Sequence, residues 1–318
     1  MKNKRIFGVL ITVVLAMLLC CAFVFAASAE DAGDGTLYEL TLDDGSVKKI
    51  TTTMDFGTLY ASYGNIVKIK LYSDIEIQKY SNSASNYIMK DLEIDLNKNT
   101  IKTNGGYLRP DGSAQVTVRN GDISHTSSYF VFINSKTAKL TVKDCEIAAT
   151  INFAHQRSGD IAIENSTVTS TVTSDLGFIQ MSYAGVSSNL TMDGVTFTGA
   201  KMCLVNIARN NSSTLKNVEI KNTTFSTTKS VITFQDDASA SNNTLSCVTS
   251  VKFSGNTKLL FASFVRADGL LPATFNFSTG VKVSSIPTAN AGDTTLAKIA
   301  FVDGATEFAD NTDSDSAT

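Results

Sequence analysis

Tryptophan is absent from this chain, and proline occurs only three times in 318 residues. Histidine occurs twice, as His125 and His155, which leaves little imidazole for a metal centre or for proton transfer. No Cys-x-x-Cys pair offers a zinc site. Five cysteines are present, two of them (Cys20 and Cys21) in an apolar N-terminal run. The other three, Cys145, Cys203 and Cys247, are odd in number and widely spaced, so they read as small apolar residues rather than a disulfide framework. No long helical stripe, no Gly-x-Ser-x-Gly elbow and no phosphate-cradling glycine loop occurs.

Basic clusters are missing after residue 29. The segment 1–29 reads as a signal peptide: Lys2, Lys4 and Arg5 form a positive start, Ile6 to Ala26 is apolar, and Ala27-Ser28-Ala29 offers small residues for cleavage. Left uncleaved, the same run is long enough to anchor the chain in a bilayer, and that is the only membrane contact expected. The whole chain holds 27 Lys and Arg against 30 Asp and Glu; without the three basic residues of the segment the net charge is about −6. That balance argues against nucleic acid as a partner and suits a secreted or cell-surface protein. The end of the chain, from Phe301, carries Asp303, Glu307, Asp310, Asp313 and Asp315 with no Lys or Arg, and reads as an acidic tail.

What is abundant is one phrase, apolar-x-apolar-x-(Asn/Asp/Gly)-x-x-apolar. It appears as VTVRNGDI (116–123), LTVKDCEI (140–147), IAIENSTV (161–168), LTMDGVTF (190–197) and VEIKNTTF (218–225). IDLNKNTI (94–101), VKFSGNTK (251–258) and FNFSTGVK (275–282) are looser copies. Start-to-start spacings are 22, 24, 21, 29, 28, 33 and 24 residues, a solenoid period. Alternation at positions 1 and 3 marks a strand with one buried face. Position 5 holds residue types that tolerate a left-handed backbone, as a sharp corner needs. Position 8 is apolar again. Hairpin barrels need a close reversal every eight to twelve residues; one phrase per repeat favours parallel stacking. The expected fold is all-β, a right-handed parallel β-helix of eight or nine coils over residues 66–300. It is preceded by a strand and helix cap at 30–65 and followed by a closing strand and tail at 301–318. In the cap, Thr53 is the expected N-cap of a short helix within 53–63, with Asp55 in its first turn.

The run from this cap through KIKLYSDIEI (68–77), DLEIDLNKNTI (91–101) and VTVRNGDI (116–123) resembles the opening of pectin-lyase-like β-helices on exported bacterial surface proteins. Asp95-Leu96-Asn97 and Ile101 match a phrase of that family, whereas Lys98 replaces its glycine. The resemblance implies architecture more than activity, because such folds serve lyases, hydrolases and non-catalytic adhesins alike.

Candidate chemistry is thin. Lyases of this kind carry calcium between acidic side chains, and Asp144, Glu164 and Asp193 are expected at corresponding corners of successive coils, an acidic strip for Ca2+. No other cofactor is expected. Asp236-Asp237 is an adjacent acidic pair of the kind hydrolases use. His155 and Arg157, expected in a turn between coils, are catalytic candidates, with a general base conceivable there. Solvated loops explain all of these equally well. Tyr72, Tyr80, Tyr87, Tyr107, Tyr129 and Tyr183 are candidates for a sugar-stacking groove. The expected role is a non-catalytic, adhesin-like module that binds glycans or surface proteins, with a polysaccharide lyase or glycoside hydrolase, or a plain spacer, as alternatives.

Overall fold

A computed structural model describes residue 30, residues 32–80, 83–172, 177–181, 188–199 and 202–207, then the backbone of 215–226, 232–236, 248–254, 259–265, 275–277 and 295–302. Side chains are described up to Cys203 and again at 218–224. Residues 1–29, Tyr183, Asp237, Cys247 and residues 303–318 lie outside the described residues.

The chain opens with an antiparallel pair, β1 (Tyr38–Leu42) and β2 (Val47–Ile50), followed by α1 (Phe56–Ser62). The helix starts at Asp55, not at Thr53: Asp55 Oδ1 accepts a hydrogen bond from the Thr58 amide at 3.1 Å and Oδ2 one from its hydroxyl at 2.6 Å. A carboxylate three residues before Thr58 reaches the free amides of the first turn, which a threonine two residues earlier does not. Phe56 and Leu59 are fully buried and seal the lower end of the core.

Above the cap the chain winds. Its first turn is β3 (Ile66–Leu71), β4 (Ile75–Gln78) and β5 (Ser85–Ile88), and its second β6 (Leu92–Asp95), β7 (Thr100–Asn104) and β8 (Tyr107–Pro110). In the next two turns the first pair of strands fuses, as β9 (Gln115–His125) and β11 (Lys139–Ala149), each followed by a short strand, β10 (Val131–Ile133) and β12 (Ala154–Gln156). Then come β13 (Gly159–Glu164), β14 (Thr167–Ser170) and β15 (Ile179–Met181), and β16 (Ser188–Asp193), β17 (Thr196–Gly199) and β18 (Cys203–Ile207). Each pairs in parallel with its counterpart one turn away. About five turns carry side-chain detail, and the backbone ladder continues in register through β19 (Leu215–Lys221) and beyond. The molecule is a parallel β-solenoid, nearly all β. Among the described strands, antiparallel pairing lies at the ends: β1 against β2 and β3, and Thr295–Val302 against Leu259–Val265.

The repeat phrase explains the winding. Val116, Leu140, Ile161, Leu190 and Val218 stand directly over one another, as do Val118, Val142, Ile163, Met192 and Ile220. All ten are essentially buried. Position 5 turns the corner in the left-handed region, at φ 63° for Asn120, 53° for Asp144, 45° for Asn165, 65° for Gly194 and 46° for Asn222. After the corner Ile101, Ile123, Ile147, Val168 and Phe197 form the second inward file. A third file of rings closes the interior: Phe130, Phe153 and Phe178 stack with centroids 5.1 and 4.9 Å apart. Cys145 and Cys203 are buried and in no disulfide; burial pushes the Cys145 thiol up to about 12.

Candidate ligand-binding face

A solenoid with three strand segments per turn shows three outer faces, and they differ in chemistry. On the first, formed by β3, β6, β9, β11, β13 and β16, charges answer one another. Lys68 Nζ lies 2.9 Å from Glu93, and Arg119 lies 3.0 Å from Glu93 and 2.8 Å from Asp95. Burial opposes ionisation of Glu93, but Lys68 and Arg119 outweigh it and hold its carboxyl below the usual range. These pairs neutralise each other and leave a solvated wall.

The expected acidic strip lies along this wall and its corner. Glu164 and Asp193 are register partners, but the residue opposite Glu164 on the turn below is Lys143. Asp144 is one position further on, at the corner itself, so the three carboxylates do not share a row. The side-chain oxygen of Asp193 accepts from Asn222 Nδ2 at 2.8 Å. Among the described residues no three His, Cys, Asp or Glu side chains converge to hold a metal ion.

The second face, after the corner, bears a shallow cleft of roughly 330 Å³ lined by Thr100, Asp122, Ser124, Glu146, Thr167 and Thr169. Asp122 and Glu146 are cross-strand neighbours. Burial first, and then the charges of Glu146 and Asp74, raise the pKa of Asp122, against a smaller pull from Lys98. Further along, Thr167, Thr196 and Thr224 replace the acids.

The third face is built by the short strands β5, β8, β10, β12 and β15. Each alternates buried inward residues, mostly apolar but including Asn86 and Gln156, with outward polar or aromatic ones. Register places Tyr87 beside Arg109, Phe132 beside His155, and His155 beside Gln180. Because Leu108 pairs with Val131, Arg109 falls next to Phe132 and the row is continuous. Its members touch. Arg109 Cζ sits 4.5 Å from the Tyr87 ring centre and 5.1 Å from that of Phe132. Arg157 Cζ lies 5.3 Å from the same Phe132 ring. His155 packs edge-on against Phe132 at 5.1 Å and tilts against Tyr129 at 5.4 Å. Tyr107 joins from the side, 6.1 Å from Phe132 and 6.5 Å from Tyr129. Tyr87 is 47% exposed.

The sequence placed His155 and Arg157 in a turn; Arg157 does lie in the bend that follows β12, but His155 lies within β12, with its ring on the outer face. Burial, and secondarily the charge of Arg157, pushes the His155 imidazole down to about 4. It is therefore uncharged at neutral pH and contributes a ring rather than a cation. Its Nε2 is enclosed without a hydrogen-bond partner. Asp236 ends the strand Ile232–Asp236 with its backbone opposite Ile207; its side chain, like all of Asp237, lies outside the described residues. Of the six tyrosines considered, Tyr87, Tyr107 and Tyr129 converge on the third face. Tyr72 lies elsewhere, under Lys70 at 5.1 Å, and Tyr80 is paired with Ser83 at the start of β5.

Arg109 and Phe132 were not among the sequence candidates. The signal is there in retrospect: N-Y-I, L-R-P, V-F-I and A-H-Q each hold a ring or a guanidinium between inward residues. Comparison of the chain with protein-family models, curated proteins and solved structures returned no match. The resemblance to pectin-lyase-like proteins thus brings no function with it.

Proposed function

We propose that this chain is an exported, non-catalytic binding module of the pectin-lyase-like kind, and that its third face holds glycans. The supporting observation is the continuous outward row Tyr87, Arg109, Phe132 and His155. Rings and stacked guanidiniums present flat, weakly hydrated surfaces, on which the apolar face of a sugar loses little by giving up water. The first face carries self-neutralised charge, and the second carries threonines beside the Asp122–Glu146 pair. The test is a glycan array followed by calorimetry on the chain without residues 1–29. Binding that falls at least about tenfold in Y87A and F132A, the loss of one to two well-buried aromatic contacts, is the expected result. Silence across neutral and acidic glycans alike would sink this reading and return the field to a protein ligand or a spacer.

One observation favours an enzyme as the second reading: Asp122 and Glu146, neighbouring carboxylates in a cleft, with the Asp122 pKa raised. Two neighbouring carboxyls can divide acid and base roles in glycoside cleavage. Turnover of a polysaccharide by the wild type, abolished in D122N and E146Q, would establish it.

A further inference from the structure

We propose that residues 126–130 form a latch that acid opens: the corner is closed at neutral pH and detaches when His125, on its inner side, and His155, on its outer side, take up protons. The opening is local, leaves the rest of the solenoid wound, and does not depend on what the third face binds.

The chain has two histidines, and both pack against this one corner. His125 ends β9, immediately before it. Its ring is fully buried and lies edge-on to Phe153 at 5.4 Å, the ring on which Phe130 stacks at 5.1 Å. His155 stands on the outside, tilted against Tyr129 at 5.4 Å. The corner between them is weakly tied. Among the described residues, Thr126, Ser127, Ser128 and Tyr129 belong to no strand and make no backbone-to-backbone hydrogen bond to a neighbouring turn. Two serine hydroxyls hold it to the turn below. Ser127 Oγ accepts from the Gly105 amide at 2.9 Å and donates to the Thr103 carbonyl at 3.3 Å, and Ser128 Oγ donates to the Gly106 carbonyl at 2.6 Å. Backbone pairing resumes at Phe130, whose amide donates to the Phe153 carbonyl at 2.9 Å.

Neither ring is accommodated as a cation while the corner is closed. Both nitrogens of His125 are buried without a hydrogen-bond partner of normal geometry, and so is the hydroxyl of Thr103, its register partner one turn below. Ala149 is its partner one turn above. The charged residues of these strands, Lys102, Asp122 and Glu146, lie on the second outer face. Only the Ser128 backbone favours a proton on His125, against a larger effect of burial. Around His155 stand Tyr129, Phe132 and, one turn on, Gln180. The charges facing it are the guanidiniums of Arg157 and, across the Phe132 ring, Arg109, with Asp111 beyond. A buried cation without an acceptor is costly, and both imidazoles are held down to about 4. Once the corner lifts, the rings meet water and titrate near 6.5, roughly the ordinary value. Protons therefore bind the open form better and shift the population toward it. The closed form keeps its full advantage above about pH 6.5 and loses it as pH falls toward about 4. The corner yields before the walls because side chains tie it, whereas β9 and β11 are laddered along their length.

Hydrogen exchange read by mass spectrometry on the chain without residues 1–29 measures the opening. The Phe130 and Val131 amides, both bonded to the Phe153 carbonyl, are the reporters. After correction for the intrinsic pH dependence of exchange, the wild type should open this corner about tenfold more at about pH 5 than at about pH 7, while β11 keeps its protection. H155F keeps a ring against Tyr129 and should lose part of that gain. H125L should lose more, and the double variant nearly all. S127A/S128A should open the corner already at neutral pH and leave the further gain on acidification unchanged, which separates the tie from the switch. If H125L does not fold, H155F decides the matter alone. Loss of protection by the corner and β11 together at every pH, or a gain undiminished in H155F, would overturn the latch.

Discussion

At the scale of single residues, the corners decide where strain is stored. Lys98 sits at φ 66° beside Asn97 at 48°, two consecutive side-chain-bearing residues in the left-handed region. The left-handed backbone costs a residue with a Cβ roughly 1–2 kcal/mol, and glycine's looser unfolded chain gives back about 0.5–1. The first term is larger, so K98G should raise stability by about 0.5–1 kcal/mol, read from the urea midpoint. Gly121 is the opposite case. It follows the Asn120 corner, and a Cβ there would stand 2.6 Å from the Asn99 carbonyl oxygen and 2.6 Å from Leu96 Cβ. Backbone does not yield as a side-chain tip does, so G121A should lose about 1–3 kcal/mol. Two small changes one turn apart thus carry opposite signs, and equal signs would refute the corner account.

At the scale of elements, the fold was legible because the phrase spans two strands and their corner, long enough to show period two. Val116, Asn120 and Ile123 declare an inward strand, a bend and a second inward strand, and the ladder repeats them in register. The third strand of each of the first five turns is three or four residues long, too short for alternation to rise above chance. That is why Arg109 and Phe132 were invisible as a pair and why His155 was read as a turn residue. The acidic strip failed for a related reason: a one-residue offset moves a side chain from wall to corner, and Asp144 carries that offset relative to Glu164. The third strands also follow the deepest part of the core. Phe153 is fully buried, sandwiched between Phe130 and Phe178, with His125 edge-on at 5.4 Å. F153A removes the middle of that stack and should cost about 3–5 kcal/mol, with loss of near-ultraviolet circular dichroism as the accompanying sign. A cost under about 1 kcal/mol would mean that the ring file is not continuous.

At the scale of the whole molecule, the titrating groups combine into a response to acid. His125 is fully buried at the end of β9 and burial pushes its imidazole down to about 4, against a small opposing effect of the Ser128 backbone. In the unfolded chain the same ring titrates near 6.5, roughly the model-peptide value. Above that pH both states are neutral and the full stability is present. As pH falls from about 6.5 toward 4, the unfolded chain takes up a proton that the folded core refuses, so stability drains away; below that range this group adds no further loss. His155 is lowered in the same way and adds to the slope. Carboxylates held low by partners, Glu76 by Asn104 and Lys102 and Glu93 by Lys68 and Arg119 against burial, carry the decline on into stronger acid. Asp122, whose pKa is raised, works the other way but over a window nearer its own carboxylate range. The histidines therefore dominate the first loss on acidification, the fully buried His125 by up to a few kcal/mol and the partly exposed His155 by less, because solvent screens it. Replacing His125 by leucine removes one of the two contributions. Urea midpoints measured from about pH 7.5 to about pH 4.5 should fall less steeply for H125L than for the wild type, with the curves parallel at the neutral end. A wild-type profile that is flat until the carboxylates titrate would show that the two rings accept protons in place, and that the core around His125 admits water.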